Sequence, residues 1–170
     1  DVFVYYSGHG APDIESKKAY LVPVDADPDR IRLTGYPLSL LYANLAKIPA
    51  RSITVVLDAC FSGETNAGAI LKGISPMATR VEMPLANIKN ANVFTATAPN
   101  QVAVWYPEAR HGLFTYFFLK GLSGEADRDK SGKLSVGELQ AYLEENVPYM
   151  ARRLKGREQT PVYSGTARNK

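Results

Sequence analysis

Two apolar runs in the first part of the chain share one pattern. Residues 2–6 and 53–57 are rich in β-branched and aromatic side chains, and each run is followed by small residues and glycine. Such runs are typical of buried strands that end in tight loops. Between them, leucines recur at helical spacing over 37–46, with Pro37 at the first position. A strand, a helix and a strand in this order predict a right-handed crossover between two parallel strands.

The rest of the pattern predicts an α/β domain. It indicates a polar loop over 10–18, a short strand over 19–22, a strand over 92–96, a loop over 99–110, an apolar helix over 113–122, an amphipathic helix over 136–154 and a final short strand over 159–164. Residues 64–90 show no clear periodicity, which is unusual for a long stretch inside a compact domain. We therefore predict a mostly parallel sheet flanked by helices, in one domain over 1–170.

His9 and Cys60 follow the two apolar runs. Neighbouring parallel strands lie roughly 5 Å apart and end at the same edge of the sheet, so the imidazole and the thiol are expected to face one cleft. A free thiol has a pKa of about 8.5, and a nearby imidazole can take its proton and later protonate a leaving amine. Gly10 and Gly63 let backbone approach a substrate closely, and the N–H groups of Gly10 and Cys60 can bind an oxyanion.

Two alternatives to this assignment stay open. A free cysteine is often simply buried and a lone histidine is often packed in a core, although both together at strand ends favour catalysis. His111 is a second candidate for the base, but it precedes a predicted helix instead of following an apolar strand.

The residues around His9 and Cys60 resemble a known family. The segments 6–10 (YSGHG) and 58–63 (DACFSG) are similar to the histidine and cysteine motifs of caspase-like peptidases, specifically bacterial caspase-domain proteins related to metacaspases. The resemblance continues through 96–103, 111–115 and 159–162, and so covers nearly the whole chain. It implies the caspase-haemoglobinase fold and cysteine endopeptidase activity, with His9 and Cys60 as the catalytic dyad. It also implies an oxyanion hole from the backbone of Gly10 and Cys60, and this chemistry requires no cofactor.

Members of this family usually have two further strands before the histidine strand. Here the sequence starts within that strand, at Asp1 and Val2. We therefore expect the C-terminal portion of a caspase-like domain, whose first strand is apolar on both faces and has an exposed edge. A missing N-terminal segment or another chain is expected to pair with that edge.

Asp58 is the candidate for substrate selection. It lies two residues before Cys60, and side chains two apart on a strand point to the same face. A carboxylate there can hold the cationic side chain that precedes the scissile bond, and arginine suits it better than lysine because its contact is bidentate. Ser7 can add a hydrogen bond, and the resemblance to metacaspases implies the same two residues. The alternative is that Asp58 caps N–H groups of the following loop.

The stretch 64–90 resembles the segment that family members cleave in themselves. Its basic residues are Lys72, Arg80 and Lys89. Self-cleavage is expected after Arg80, which has Thr79 and Val81 as its neighbours.

A second motif, at 127–138, matches an EF-hand loop, with oxygen ligands at positions one, three and five, glycine at six and glutamate at twelve. The expected Ca²⁺ ligands are Asp127, Asp129, Ser131, the Lys133 carbonyl and Glu138. The alternative is structural, because Ser135 and Glu138 can form a capping box that starts the last helix while the aspartates make turns. Ca²⁺ binding is therefore a hypothesis that the sequence leaves open.

Composition narrows the classes of function. The chain has 170 residues, 45% of them hydrophobic and 22% charged, with a formal net charge of +3. This mild, dispersed charge argues against a nucleic-acid partner, and no run is long and apolar enough for a membrane partner. The single cysteine rules out an internal disulfide and indicates no cellular compartment. The expected partner is a peptide or protein substrate. Two alternatives to the peptidase function stay open: a non-catalytic caspase-like scaffold and a calcium-binding module.

Overall fold

The structure is a computed structural model that describes residues 1–13, 15–62, 64–65, 68–69 and 88–166. Within these residues the strands are β1 (Val2–Ser7), β2 (Gly10–Asp13), β3 (Lys18–Leu21), β4 (Tyr36–Pro37), β5 (Ile53–Asp58), β6 (Glu64–Thr65), β7 (Gly68–Ala69), β8 (Ala91–Thr95), β9 (Trp105–Tyr106), β10 (His111–Gly112) and β11 (Val162–Gly165). The α-helices are α1 (Ile31–Thr34), α2 (Leu38–Leu45), α3 (Leu113–Lys120) and α4 (Val136–Lys155).

The centre of the fold is a four-stranded sheet in the order β1-β5-β8-β11. Strands β1, β5 and β8 run parallel, with Ser7 opposite Asp58 at the end of the first pair, and β11 runs antiparallel to β8. The predicted parallel crossover, with α2 as its helix, is confirmed, and so is the mostly parallel sheet flanked by helices.

Helices cover both faces of this sheet. Val55 and Leu57 of β5 pack on the side of α2, whereas Val56 packs on the opposite side with α3 and α4. A strand that is buried on both faces has no polar alternation, which explains why 53–57 is apolar throughout. The core therefore lies in two layers with β5 between them.

The strand β1 differs from the expectation that both of its faces are buried. Val2 and Val4 pack against the core on the α2 side, whereas Phe3 and Tyr5 on the other face are 60% and 47% exposed. β1 lies at one edge of the sheet, and no strand among the described residues pairs with its outer side. The sequence pattern did not predict the exposed face, because Phe3 and Tyr5 count as apolar residues whether their side chains are buried or exposed.

The predicted polar loop over 10–18 is wrong in its first part. Gly10–Asp13 forms β2, which is buried and pairs antiparallel with β3. The charged residue of this segment, Asp13, forms an ion pair with Arg32, whose Nε lies 2.7 Å from the Asp13 Oδ2. A buried charge that is paired in this way can be tolerated where an unpaired one cannot.

The two long predicted helices differ in how well their ends were predicted. α3 ends at Lys120, earlier than predicted, because the chain widens into a π-type turn over Gly121–Glu125 in which Gly124 has a φ of 110°. α4 starts with the expected capping box, in which the Ser135 N–H donates to the Glu138 carboxylate at 2.9 Å. No helix in the described part of the chain is long and apolar enough to cross a membrane.

The final strand starts later than predicted, at Val162. Gln159 is fully buried and uses its side chain as a link, accepting from the Val104 N–H at 2.8 Å and donating to the Ala96 carbonyl at 3.1 Å. These bonds join the segment before β11 to the loop after β8, so side-chain contacts replace a strand ladder there.

Candidate active site

The carboxyl ends of β1 and β5 open onto a cleft of about 190 Å³. Beyond the last paired residues, the Gly8 N–H donates to the Asp58 carbonyl at 3.2 Å and continues the ladder into the loop. The cleft is lined by the loops after the two strands and by a later segment: Ser7, Gly8, His9, Asp58, Cys60, Val102, Ala103, Val104, Trp105 and Gly112. The two strand-end motifs therefore share one cleft, as the sequence predicts.

His9 and Cys60 enter the cleft from different loops. His9 is exposed, and its carbonyl accepts hydrogen bonds from the Tyr6 hydroxyl at 2.8 Å and the Val22 N–H at 3.0 Å, which fix the backbone of its loop. Cys60 is only 5% exposed. An accessible imidazole and a buried thiol in one cleft suit a base and a nucleophile.

The surroundings of Cys60 favour its neutral thiol. Burial raises the pKa of the Cys60 thiol, hydrogen bonds from the Ala103 backbone and the Ser62 side chain lower it, and the negative charge of Asp58 raises it again, with the net effect upward. A thiol in this state is a weak nucleophile at neutral pH. Its chemistry therefore depends on a base in the same cleft.

Gly10 lies against the loop of the candidate nucleophile. A Cβ at this position would lie 2.6 Å from the Cys60 carbonyl oxygen, so only glycine allows the two loops to meet this closely. The Val22 N–H bonds to the His9 carbonyl across the β2–β3 hairpin, so the next pair, Gly10 and Leu21, is a non-hydrogen-bonded one. The Gly10 N–H therefore points away from β3, which is a requirement for an oxyanion donor.

Asp58 is a second buried ionisable group in the cleft, and it is 6% exposed. Its Oδ2 accepts a hydrogen bond from the Thr115 hydroxyl of α3. Burial raises the pKa of Asp58, whereas the hydrogen bonds from Thr115 and the neighbouring His111 lower it, and the net effect is upward. Asp58 thus lines the cleft and also forms a hydrogen bond with the first turn of α3.

Sequence reasoning missed the segment that closes the other side of the cleft. Its lining residues are Val102, Ala103, Val104, Trp105 and Gly112. They come from the predicted loop and from β10, which is placed by its pairing with β9 and by the Leu113 N–H bond to Val104 at 2.8 Å. A Cβ on Gly112 would overlap the Asp58 carboxylate, so glycine lets α3 approach this closely. The only available signal was the family resemblance at 96–103 and 111–115.

His111, the second candidate for the base, lies beside this segment. Its Nδ1 is 3.1 Å from the Gly112 carbonyl and its ring is 6.1 Å from the ring of Tyr116. The lining of the cleft includes His9 and not His111. The geometry therefore favours His9 as the partner of Cys60.

The EF-hand-like loop brings three predicted ligands together. One ligand atom from each of Asp127, Asp129 and Glu138 lies within 4.8 Å of the other two. The same groups also have internal partners, because the Asp127 carboxylate accepts from the Gly132 N–H at 2.8 Å and Glu138 belongs to the capping box. The Ser131 hydroxyl donates to the Lys133 carbonyl at 3.1 Å. Ca²⁺ binding here stays a prediction.

The predicted self-cleavage site lies elsewhere in the chain. Arg80 is outside the described residues, and so is Gly63 beside the cysteine motif. Self-cleavage after Arg80 therefore also stays a prediction.

The fold is an α/β domain with a mostly parallel sheet, and a histidine and a cysteine follow the ends of two adjacent strands at one cleft. The caspase-domain family model matches residues 1–170, and the chain belongs to this family of cysteine peptidases. This membership confirms the caspase-like resemblance that the motifs carry.

Two solved structures share the fold. A protein from Geobacter sulfurreducens is similar with a TM-score of 0.58 and 18% identity, over 99% of this chain and 66% of that chain. Caspase-1 from Spodoptera frugiperda is similar with a TM-score of 0.54 and 13% identity, over 96% of this chain and 59% of that chain. This chain thus spans less than two thirds of either structure. No curated protein matches it significantly.

Proposed function

We propose that this protein is a metacaspase-like cysteine endopeptidase that cleaves after basic residues, arginine in preference to lysine, with Cys60 as nucleophile and His9 as base. The observation that carries the proposal is the shared cleft, in which an exposed imidazole, a buried thiol and a buried carboxylate lie together. Membership of the caspase-domain family supports the cysteine-peptidase chemistry.

In the proposed reaction, the His9 imidazole takes the proton of the Cys60 thiol. The thiolate then forms a carbon–sulfur bond with the scissile carbonyl, and the N–H groups of Gly10 and Cys60 stabilise the resulting oxyanion. When this intermediate collapses, the carbon–nitrogen bond breaks and His9 returns the proton to the leaving amine. Water, activated by His9, hydrolyses the thioester and restores the thiol.

Substrate selection is assigned to Asp58, with Ser7 beside it in the strand register. A buried carboxylate attracts a cation more strongly than an exposed one because the surroundings screen its charge less. Arginine can form two parallel hydrogen bonds with a carboxylate and lysine cannot, which is the reason for the expected order.

The first experiment tests the dyad with peptide substrates that have arginine before the scissile bond. Cys60→Ala should abolish cleavage and His9→Ala should reduce it by several orders of magnitude, since removal of a nucleophile or its base typically has that effect. Far-ultraviolet circular dichroism of both variants controls for folding. Turnover that persists in Cys60→Ala would exclude the proposed nucleophile, whereas an inert wild-type protein would favour a non-catalytic caspase-like domain.

Selectivity is tested with peptide substrates that differ only in the residue before the scissile bond. Wild type should cleave after arginine, then lysine, and not after aspartate, and Asp58→Asn should lower kcat/KM for the arginine substrate about 30-fold to 150-fold, as expected for a charged hydrogen bond worth roughly 2–3 kcal/mol. Asp25→Asn, at an exposed aspartate outside the cleft, is the matched control. An arginine preference that is unchanged in Asp58→Asn would remove this assignment.

Mass spectrometry of the same proteins tests self-processing. Fragments that end at Arg80 should accumulate in wild type, and should be absent from both Cys60→Ala and Arg80→Gln. Identical fragments in wild type and Cys60→Ala would identify a contaminating protease instead.

A further inference from the structure

A buried carboxylate in a substrate cleft needs partners that fix its orientation. The Oδ2 atom of Asp58 accepts a hydrogen bond from the Thr115 hydroxyl, and both residues are 6% exposed. Thr115 is the third residue of α3 and lies far from Asp58 in sequence. The docking of a helix therefore contributes to fixing the carboxylate.

The hydrogen bonding continues from Thr115 to the surface of β1. The Thr115 Oγ1 lies 2.9 Å from the Tyr5 hydroxyl, and Tyr5 is 47% exposed. An ionised carboxylate can only accept hydrogen bonds, so the single proton of the Thr115 hydroxyl points to Asp58. The Tyr5 hydroxyl must then donate to Thr115. The two hydroxyls form one directed chain from Tyr5 through Thr115 to Asp58.

We infer that Thr115, oriented by Tyr5, is a positioning residue that holds the Asp58 carboxylate ready to receive an arginine side chain. This inference rests on the proposed function, in which Asp58 selects that side chain. The Thr115 hydroxyl uses one acceptor site of Oδ2, and the carboxylate has further acceptor sites with which to bind the guanidinium. Thr115 acts through Asp58 and needs no contact with the substrate.

The charges around Asp58 agree with this role. Burial raises the pKa of Asp58, and the Thr115 side chain and backbone oppose that effect, together with His111 of β10. The negative charge of Asp58 also acts on the Cys60 thiol in the same cleft. Without the Thr115 hydroxyl, the carboxyl group would rotate more freely and would be protonated more readily. Both changes weaken an ion pair with arginine.

The test measures the alkylation of Cys60 by two peptidyl chloromethyl ketones, one ending in arginine and the other in its uncharged isostere citrulline. The thiolate sulfur bonds to the methylene carbon and chloride leaves, so no turnover is required. Wild type should prefer the arginine reagent by about tenfold or more, mainly through tighter reversible binding before the chemical step. Thr115→Val should reduce this preference to that of Asp58→Asn, Thr115→Ser should restore it, and Tyr5→Phe should lower it in part.

The outcomes separate this inference from the proposed function. An equal loss for both reagents in Thr115→Val, without rescue by Thr115→Ser, would show a purely structural role and overturn the inference. If Thr115→Val does not fold, an unchanged preference for the arginine reagent in the surface variant Tyr5→Phe is sufficient to overturn the inference. A preference for the arginine reagent that is lost in Asp58→Asn but kept in Thr115→Val and Tyr5→Phe refutes only the inference. No alkylation or no preference in wild type, or a preference kept in Asp58→Asn, refutes the proposed function itself.

Discussion

Asp58, the proposed substrate-binding residue, also acts on Cys60, the proposed nucleophile. Its negative charge raises the pKa of Cys60, so the carboxylate that we assign to substrate binding also disfavours the thiolate while the cleft is empty of a cation. A guanidinium bound at Asp58 would cancel that charge and favour the thiolate. If Asp58 binds a basic side chain as proposed, the reactivity of Cys60 depends on the presence of that side chain.

The pH dependence of Cys60 alkylation tests this link. Because burial and Asp58 place the pKa of Cys60 above its ordinary value, the rate with iodoacetamide should rise only as the pH passes that raised pKa. Asp58→Asn removes the charge, so the midpoint should move to lower pH and the rate at neutral pH should increase. Asp25→Asn should leave the midpoint in place. A midpoint that stays or moves upward in Asp58→Asn would contradict the prediction.

The elements that could be predicted from sequence are those with a local pattern. β5 is apolar throughout because it is buried on both faces, and α4 starts at a capping box that is visible in the sequence. β2 has no such pattern, since Gly10–Asp13 is a strand only through its pairing with β3 and the ion pair of Asp13 with Arg32. Pairing of this kind depends on residues that are distant in sequence.

The residues of the candidate site also fall into those that could be predicted from sequence and those that could not. His9, Cys60 and Asp58 could be placed in one cleft because parallel strands end at the same edge of a sheet. The positions of Thr115 and Trp105 could not be predicted, because the docking of α3 brings Thr115 to Asp58 and the pairing of β9 with β10 brings Trp105 to the cleft. Topology predicted the place of the candidate site, and tertiary packing decides which further residues surround it.

The EF-hand-like loop offers a test at the scale of one element. If it binds Ca²⁺, titration calorimetry should show saturable heat, and a Ca²⁺ concentration of 100 times Kd should stabilise the fold by about 2.7 kcal/mol. Glu138→Gln should weaken binding without disturbing the start of α4, because glutamine also completes a capping box. Glu144→Gln, on the exposed side of α4, is the control. Absence of heat and of any melting shift at millimolar Ca²⁺ would leave the loop a structural turn.

At the scale of the whole molecule, the sheet has an open edge at β1. The N–H groups of Val2 and Gly8 bond toward the β5 side at 2.9 and 3.2 Å, so those of Phe3, Tyr5 and Ser7 point the other way. No strand in the described ranges pairs with that side. We propose that another segment or another chain adds a strand there, since such an edge is a template for pairing.

Sedimentation velocity tests the pairing of this edge. The 170-residue chain should associate as its concentration rises, and Phe3→Lys should prevent this because a charge on an edge strand opposes pairing. Val24→Lys, at an exposed position outside the sheet, should behave like wild type. A chain that stays monomeric at every concentration, with a Tyr5 amide that exchanges as fast as in an unfolded peptide, would contradict the proposal.

The antiparallel direction of β11 has a practical consequence. Asp1 bonds to Arg51 and Ser52 ahead of β5 at 2.7 and 2.9 Å, and the Thr166 N–H bonds to the Ala91 carbonyl at 2.8 Å where β8 starts. Both ends of the described chain therefore lie at the edge of the sheet opposite the cleft. A solid support attached covalently through a side chain at position 1 or 166 would sit behind the sheet. Protein immobilised in this way would present its cleft to the solution.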